Sequence, residues 1–413
     1  MTDLSRRRFL QVVFAGAAAF SGLSGCTPDE YTDADAAQLA ARMRDEAARS
    51  GHGPFGPLHV RGYRGLADLP YFDLDGDGRL HTVVPDLPPV FDFHTHLGMQ
   101  LLCAPDVDLA RRAPRTQYYL DCDRTDPGCD LDLDVYINSA FTADMHDDLS
   151  WEMVRQLVLG GGAASTHTIP NLVAEMDAVG CRQAAVLPIA FGLPFGDDLT
   201  TAWLDALGAA GGSERLVPFA SVHPSDAGWQ TALEGYAARG VRGLKVHPEF
   251  QRVFPDESRM LDVYAACERL GLVVIFHAGR SGIEPAALRP YALLRRYERA
   301  FAAFPRVQFV LGHAGARDVT DAVRLARQYP NVWLEITGQG VTALDGLITE
   351  VGMERLLFGS DWPFYPLAAT LAKVLLVTER RPAARTAILR ANADRAFALA
   401  AATRRVERPA GSG

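Results

Sequence analysis

Val90-Phe-Asp-Phe-His-Thr-His96 is an apolar run that ends in two histidines one residue apart. Three later runs end in the same manner: Ile275-Phe-His277-Ala-Gly, Leu311-Gly-His313-Ala-Gly and Phe358-Gly-Ser-Asp361-Trp-Pro. In each, a residue able to bind a metal caps a strand-like segment, and small residues or proline follow. On a strand, positions i and i+2 face one side, so His94 and His96 present two imidazoles to a common point. Outward from these four, strand-like runs fall at 90–94, 183–189, 216–222, 243–247, 272–277, 307–313, 332–337 and 356–361. Stretches of helical period lie between most of them, among them 229–239, 258–270, 288–304 and 319–328. Strand and helix in alternation predict an α/β protein with a parallel sheet and crossover helices. Eight such units fit a (β/α)8 TIM barrel, whose usual core is about 250 residues. All four histidine and aspartate sites then fall at the C-terminal ends of strands, where the catalytic groups of such barrels gather.

The barrel is expected over residues 90–402, with a tail at 403–413. The surplus length lies at 97–168, a segment rich in Asp, Tyr and Arg without clear periodicity. It is expected to be an insertion after the first strand that sets substrate specificity.

These motifs, with Gly243-Leu-Lys-Val-His-Pro248, Gln251, Phe254 and the closing Ile388-Leu-Arg-Ala-Asn392-Ala393, resemble the amidohydrolase superfamily. The resemblance covers residues 88–400 and points to the branch that also holds aminocarboxymuconate-semialdehyde decarboxylase-like enzymes. It implies that His94, His96, His277 and Asp361 bind the metal and that His313 is the catalytic histidine beside it. Zn2+ held by three imidazoles and a carboxylate lowers the pKa of bound water to roughly 7. Asp361 can take that water's proton and deliver it to a leaving group. His313 can polarise the substrate carbonyl. Hydrolysis of an amide, ester or lactone of a small molecule follows. The alternative is a metal-dependent decarboxylase or hydratase of an unsaturated or aromatic acid, in which the same groups protonate carbon.

Among 41 basic residues only Lys245 and Lys373 are lysine. Generic positive charge therefore does not account for Lys245, which shares a strand face with His247. Lysine can be deprotonated and can react with CO2, whereas arginine cannot be deprotonated in proteins. Three roles fit: Lys245 or His247 binds a substrate carboxylate, a carboxylated Lys245 bridges a second metal, or both are structural. Arg280, just after His277-Ala-Gly, is placed to meet an anionic substrate or to be a solvated loop charge. Glu335 stands where it can contact the site from below, His223 reads as structural, and His146, His167 and Trp362 are candidates for the pocket wall.

The N-terminus carries an address. Ser5-Arg6-Arg7-Arg8-Phe9-Leu10 and the apolar run after it resemble a twin-arginine export signal, and Leu23-Ser24-Gly25-Cys26 resembles a lipobox. Residues 1–26 are thus expected to be a signal that leaves Cys26 lipidated, with 27–53 a tether carrying a surface helix. The enzyme is expected outside the cytoplasmic membrane, attached by the lipid alone. In that setting Cys122 and Cys129 are either a disulfide or two thiols. Within the N-terminal segment 54–89, Asp73, Asp75 and Asp77 imitate a calcium loop. Val84 stands where a bidentate Glu is required, so a hairpin is the favoured reading. The chain is 48% hydrophobic and 22% charged with a net charge of −9. These proportions are globular and offer no basic face for nucleic acid. A homodimer is compatible with everything above.

Overall fold

The computed structural model describes residues 31–99, 107–120, 130–138, 162–193, 197–211 and 214–406. The export signal, Cys26, the pair Cys122 and Cys129, and His146 lie outside them. Eight parallel strands form the centre: β1 (Val90–Thr95), β2 (Cys181–Val186), β3 (Leu216–Pro218), β4 (Gly243–Val246), β5 (Val273–Phe276), β6 (Phe309–Leu311), β7 (Val332–Glu335) and β8 (Leu356–Leu357). Each pairs with its sequence neighbour, β1 to β3 in one sheet and β4 to β8 in another. A parallel bridge between Ala220 and Leu244 joins the two sheets, and one between Thr95 and Trp362 ties the first strand to the segment after the last. Phe93 N donates to Phe358 O, and Asp361 N to His94 O, both at 2.8 Å.

One apolar cluster gathers Phe93, Ala185, Val217, Ile275, Val310 and Trp333 against Phe397 of the C-terminal helix, Asn392–Val406. It draws on seven of the eight strands, as a core enclosed by them must. β4 contributes a glycine and a lysine in place of an apolar side chain. At Gly243 a Cβ would lie 2.1 Å from the Phe219 ring, so that ring fills the space a side chain would take. The larger cluster lies between the other strand faces and the surrounding helices.

Helices Ser258–Leu270 and Val319–Gln328 occupy the stretches expected of them. The first stops at Gly271, whose left-handed conformation lets its N–H reach back to Cys267 O and Glu268 O. The expected helix at 288–304 is instead broken into Arg289–Ala292, Leu294–Arg296 and Glu298–Ala303. Pro290 sits at the start of the first piece, where its missing N–H costs nothing, and extended Leu293 (φ −61°, ψ 117°) separates it from the next.

The stretch read as a tether carries a docked helix, Asp33–Arg49, opened by a capping box at Thr32 and Asp35. Asp35 pairs with Arg295 at 2.7 Å, Arg42 with Asp318 and Asp321, and Glu46 with Arg317 at 2.8 Å. The helix thereby straps the loops that follow β5 and β6. Phe72–Leu74 and Leu80–Thr82 form an antiparallel hairpin in which Asp75 Oδ1 accepts from the N–H groups of Asp77 and Arg79. The described parts of 97–168 also dock on the strand ends: Tyr119 N donates to Pro363 O and Ile137 N to Gly338 O. No helix of the described residues is long and apolar enough to cross a membrane.

Candidate metal centre

His94 and His96 leave the end of β1, where the pairing with β2 shifts register between Asp92 and Thr95. Regular alternation would put neighbouring residues on opposite faces; the shift lets Phe93 enter the enclosed apolar core while His94 meets Glu335 and Lys245. Lys245 Nζ donates to His94 Nε2 at 2.9 Å, and His94 Nδ1 donates to Glu335 Oε2 at 2.9 Å. His96 Nδ1 donates to Leu187 O at 2.6 Å. A backbone carbonyl only accepts, so the His96 proton must sit on Nδ1, leaving the Nε2 lone pair open. His96 thus shows the arrangement of a metal-binding histidine, one nitrogen anchored and the other free to coordinate, whereas His94 Nε2 is met by Lys245 and would have to exchange that contact for a metal. Asp361 Oδ1 lies 3.5 Å from His94 Nε2 and 3.3 Å from His96 Nε2.

The loop after β6 brings in His313, whose backbone N–H donates to Glu335 Oε2 at 3.1 Å. His313 and Asp361 both take left-handed backbone conformations (φ 58° and 59°), uncommon for residues with a Cβ and concentrated at functional sites. The small residues after the histidines now have a reason. A Cβ at Gly279 would meet Gly315 O at 1.9 Å, so the two His-Ala-Gly turns pack backbone to backbone. A Cβ at Gly359 would likewise strike the Glu335 carboxylate at 2.3 Å.

Ligand atoms of His94, His313 and Asp361 all lie within 4.8 Å of one another. Of the sequence-expected ligands, His94 and Asp361 belong to this group, and His96 joins it through its Nε2, 3.3 Å from Asp361 Oδ1. His277 stands one place back: its Nδ1 shares a 3.1 Å hydrogen bond with His313 Nε2, and its own ligand group is completed by His247 and Glu249. Glu249 was not singled out in the sequence. It lies two residues beyond His247 in the four-residue helix Pro248–Gln251, too short to carry a periodic signal.

Burial favours the neutral imidazoles of His94 and His313, holding His94 well below the ordinary histidine range and His313 down at about 4. It also lowers Lys245 to about 8 and raises Glu335 to about 7. Neutral imidazole nitrogens and a carboxylate oxygen are the donor set of zinc-type sites, so these residues fit a divalent transition-metal ion.

Arg280 is corrected by the structure. Its side chain is buried, bonded to Asp318 at 2.6 and 2.8 Å, to Asp35 O at 2.6 Å and to Gln38 at 2.9 Å. It ties the N-terminal helix to the loop after β6 and is no substrate contact, because a guanidinium with these partners has no free edge. His247 accepts from Phe250 N at 3.3 Å and stacks on Phe250 and His277. His223 Nε2 binds Gln251 O and His167 Nε2 binds Gln117 O. Trp362 is fully buried and donates to Glu175 Oε2 at 2.8 Å.

The amidohydrolase family profile matches residues 173–399, more than half of the chain. The chain belongs to this family. In this amidohydrolase the match takes in His277, His313 and Asp361 and stops short of His94 and His96, which join the site through the fold. An L-fucono-1,5-lactonase of Burkholderia multivorans is 31% identical over 172 residues, 39% of this chain. The chain spans about half of that curated relative, 55% of its length. Among solved structures, 5-carboxyvanillate decarboxylase from Sphingomonas paucimobilis superposes with a TM-score of 0.53 at 19% identity, over 75% of this chain and 99% of its own. An uncharacterized TIM-barrel protein from Bordetella bronchiseptica gives 0.50 at 21% identity, over 58% and 85%. At these identities the two structures show a shared fold.

Proposed function

We propose that this amidohydrolase is a metal-dependent hydrolase of a small-molecule lactone or related ester, built on a (β/α)8 barrel with an insertion after β1. The observation that carries the reading is the approach of His94 Nε2 and His96 Nε2 to Asp361 Oδ1, at 3.5 and 3.3 Å, with the far nitrogen of each ring anchored by Glu335 or by Leu187 O. The barrel is supported by eight parallel strands in chain order and the bridges at both seams. Lactone chemistry is supported by the fuconolactonase relative.

His94, His96 and Asp361, with an imidazole from His313 or His277, would hold one Zn2+, which would supply Lewis acidity toward water and the substrate carbonyl. Asp361, facing both imidazoles, is placed to accept the attacking water's proton and return it to the leaving oxygen. His313 stays neutral at physiological pH because it is buried, and offers a ring nitrogen to the carbonyl oxygen as charge develops there. Glu335 holds the His94 ring by its Nδ1, and Lys245 Nζ stands 2.9 Å from the nitrogen that would coordinate. Decarboxylation calls for a fixed cation facing the substrate carboxylate; Arg280, engaged by Asp318, is not that cation, and Lys245 beside His94 is the remaining candidate.

The test is turnover of metal-loaded enzyme on a panel of sugar lactones, aryl esters and amides, with CO2 release from aromatic acids followed in parallel. Asp361→Asn is expected to abolish hydrolysis with its circular dichroism unchanged. Undiminished turnover in that variant, or CO2 release in place of hydrolysis, contradicts the reading. The twin-arginine and lipobox residues support export and a lipid on Cys26; an unmodified Cys26 in membrane-extracted protein, read by mass spectrometry, would overturn that part.

A further inference from the structure

We propose that Tyr136, from the segment that follows β1, is a substrate-binding residue whose hydroxyl donates to a hydroxyl oxygen of a neutral, polyhydroxylated lactone; this rests on the hydrolase reading above and adds the class of substrate. The residues around Tyr136 are docked on the loop that leaves β7. Ile137 N donates to Gly338 O at 2.7 Å, Val341 N to Leu133 O at 3.1 Å and Thr342 N to Asp134 Oδ1 at 2.7 Å. Two glycines make the room. A Cβ at Gly338 would stand 2.8 Å from the Tyr136 ring, and one at Gly340 would strike Asp134 O at 2.3 Å. From the other side, Glu46 of the N-terminal helix accepts from Tyr136 N at 2.7 Å and, through its second oxygen, from Arg317 Nε at 2.8 Å. The Arg317 guanidinium lies over the Tyr136 ring, 5.2 Å from its centroid. The ring is thus fixed between the loop after β7 and the loop after β6 that delivers His313. Ile137 takes φ 67° and ψ 12°, a left-handed conformation that a β-branched residue rarely adopts. Strain of this kind persists only where surrounding contacts impose it, and it gathers at functional sites.

The ring is held on every side, yet its hydroxyl has nothing to bond. Tyr136 is 3% exposed, and its Oη makes no hydrogen bond among the described residues. A buried tyrosine hydroxyl ordinarily finds a partner. Tyr264 Oη is sealed away without one; Tyr136 Oη is unpartnered but not sealed, so a ligand can reach it. Burial holds the phenol well above the ordinary tyrosine range; Arg317 opposes this, and the charges of Asp361, Glu284 and Glu335 add to it. Those carboxylates come from the segment after β8, the loop after β5 and the end of β7, so the hydroxyl lies among groups converging on the metal centre. A phenol in that field keeps its proton and donates it in a hydrogen bond. The carboxylates disfavour an anionic group beside them, so the acceptor is a neutral oxygen. The scissile carbonyl and the leaving oxygen are served by the metal, His313 and Asp361, which leaves a ring hydroxyl of the substrate for Tyr136.

The experiment removes the hydroxyl and keeps the ring. Zinc-loaded full-length protein and its Tyr136→Phe variant are compared on glucono-δ-lactone and on δ-valerolactone, the same ring without hydroxyls. The loss in kcat/KM is expected to be about tenfold greater on glucono-δ-lactone, the worth of one neutral hydrogen bond, with the melting temperature close to the parent's. Equal losses on the two lactones, or none, overturn the inference; a variant that fails to fold marks the hydroxyl as structural and overturns it as well. Glucono-δ-lactam, which carries the same hydroxyls and resists hydrolysis, is titrated by calorimetry as a readout free of turnover. Tyr136→Phe should bind it about tenfold more weakly than the parent does. If the parent turns over neither lactone, the hydrolase reading fails and the titration alone decides. Weaker binding by the variant then supports the contact, and equal binding, or none by the parent, overturns it.

Discussion

Glu335 accepts from His94 Nδ1, from the His313 backbone N–H and, through its other oxygen, from Thr337 N at 2.6 Å. One carboxylate thus sets the orientation of one metal ligand and the course of the loop that delivers another. Replacing a residue that anchors a metal-bound histidine typically costs 10–100-fold in metal affinity. Glu335→Gln is therefore expected to weaken metal binding by about that factor, measured by competition with a chromophoric chelator; unchanged affinity would show that the ring needs no such anchor. His94, His96 and Asp361 were legible in the sequence because each caps an apolar strand. Glu249 was not, since nothing local distinguishes a glutamate after His-Pro from a solvated one. Arg280 misled for the opposite reason: its partner Asp318 lies 38 residues away on another loop, and only folding joins them. Arg280→Ala leaves the buried Asp318 short of its main counter-charge and is expected to cost about 3 kcal/mol in urea unfolding. KM should stay unchanged, where a substrate-binding arginine would raise it.

At the scale of elements, all eight strands lie where the apolar runs put them, because strands buried on both faces read as continuous apolar segments. The helix at 288–304 was over-read, since its composition is helical throughout and only Pro290 and the extended Leu293 betray the breaks. The helix Ile169–Ala178 carries a feature that composition could not reveal. Its Glu175 is buried and accepts from Tyr118 Oη, Trp362 Nε1 and Leu367 N, tying this helix to the segment just after Asp361. Burial raises its carboxyl from 4.5 to about 7. The folded state therefore binds a proton that the unfolded state releases between those values. This contribution is complete below pH 4.5, falls as the pH rises through about 7, and amounts to at most ~3 kcal/mol. Melting temperatures of the parent and of Glu175→Gln, compared from pH 5 to 8, should show the parent losing stability relative to the variant as pH rises. A constant difference would mean that Glu175 is already ionised in the folded protein at pH 5.

At the scale of the molecule, ligands from β1, from the loop after β6 and from the segment after β8 meet only because the last strand returns to the first through the Thr95–Trp362 bridge. The order of the strands could be read from alternation; the bridge from Thr95 to Trp362, and the strapping of Asp33–Arg49 across the loops after β5 and β6, depend on long-range pairing that no window of sequence displays. The measurement that bears most directly on the account is anomalous X-ray scattering at the zinc edge from crystals of the zinc-loaded protein. The account predicts a peak bonded at once to His94 Nε2, His96 Nε2 and the Asp361 carboxylate. A zinc-replete crystal with no peak touching those three residues would contradict it.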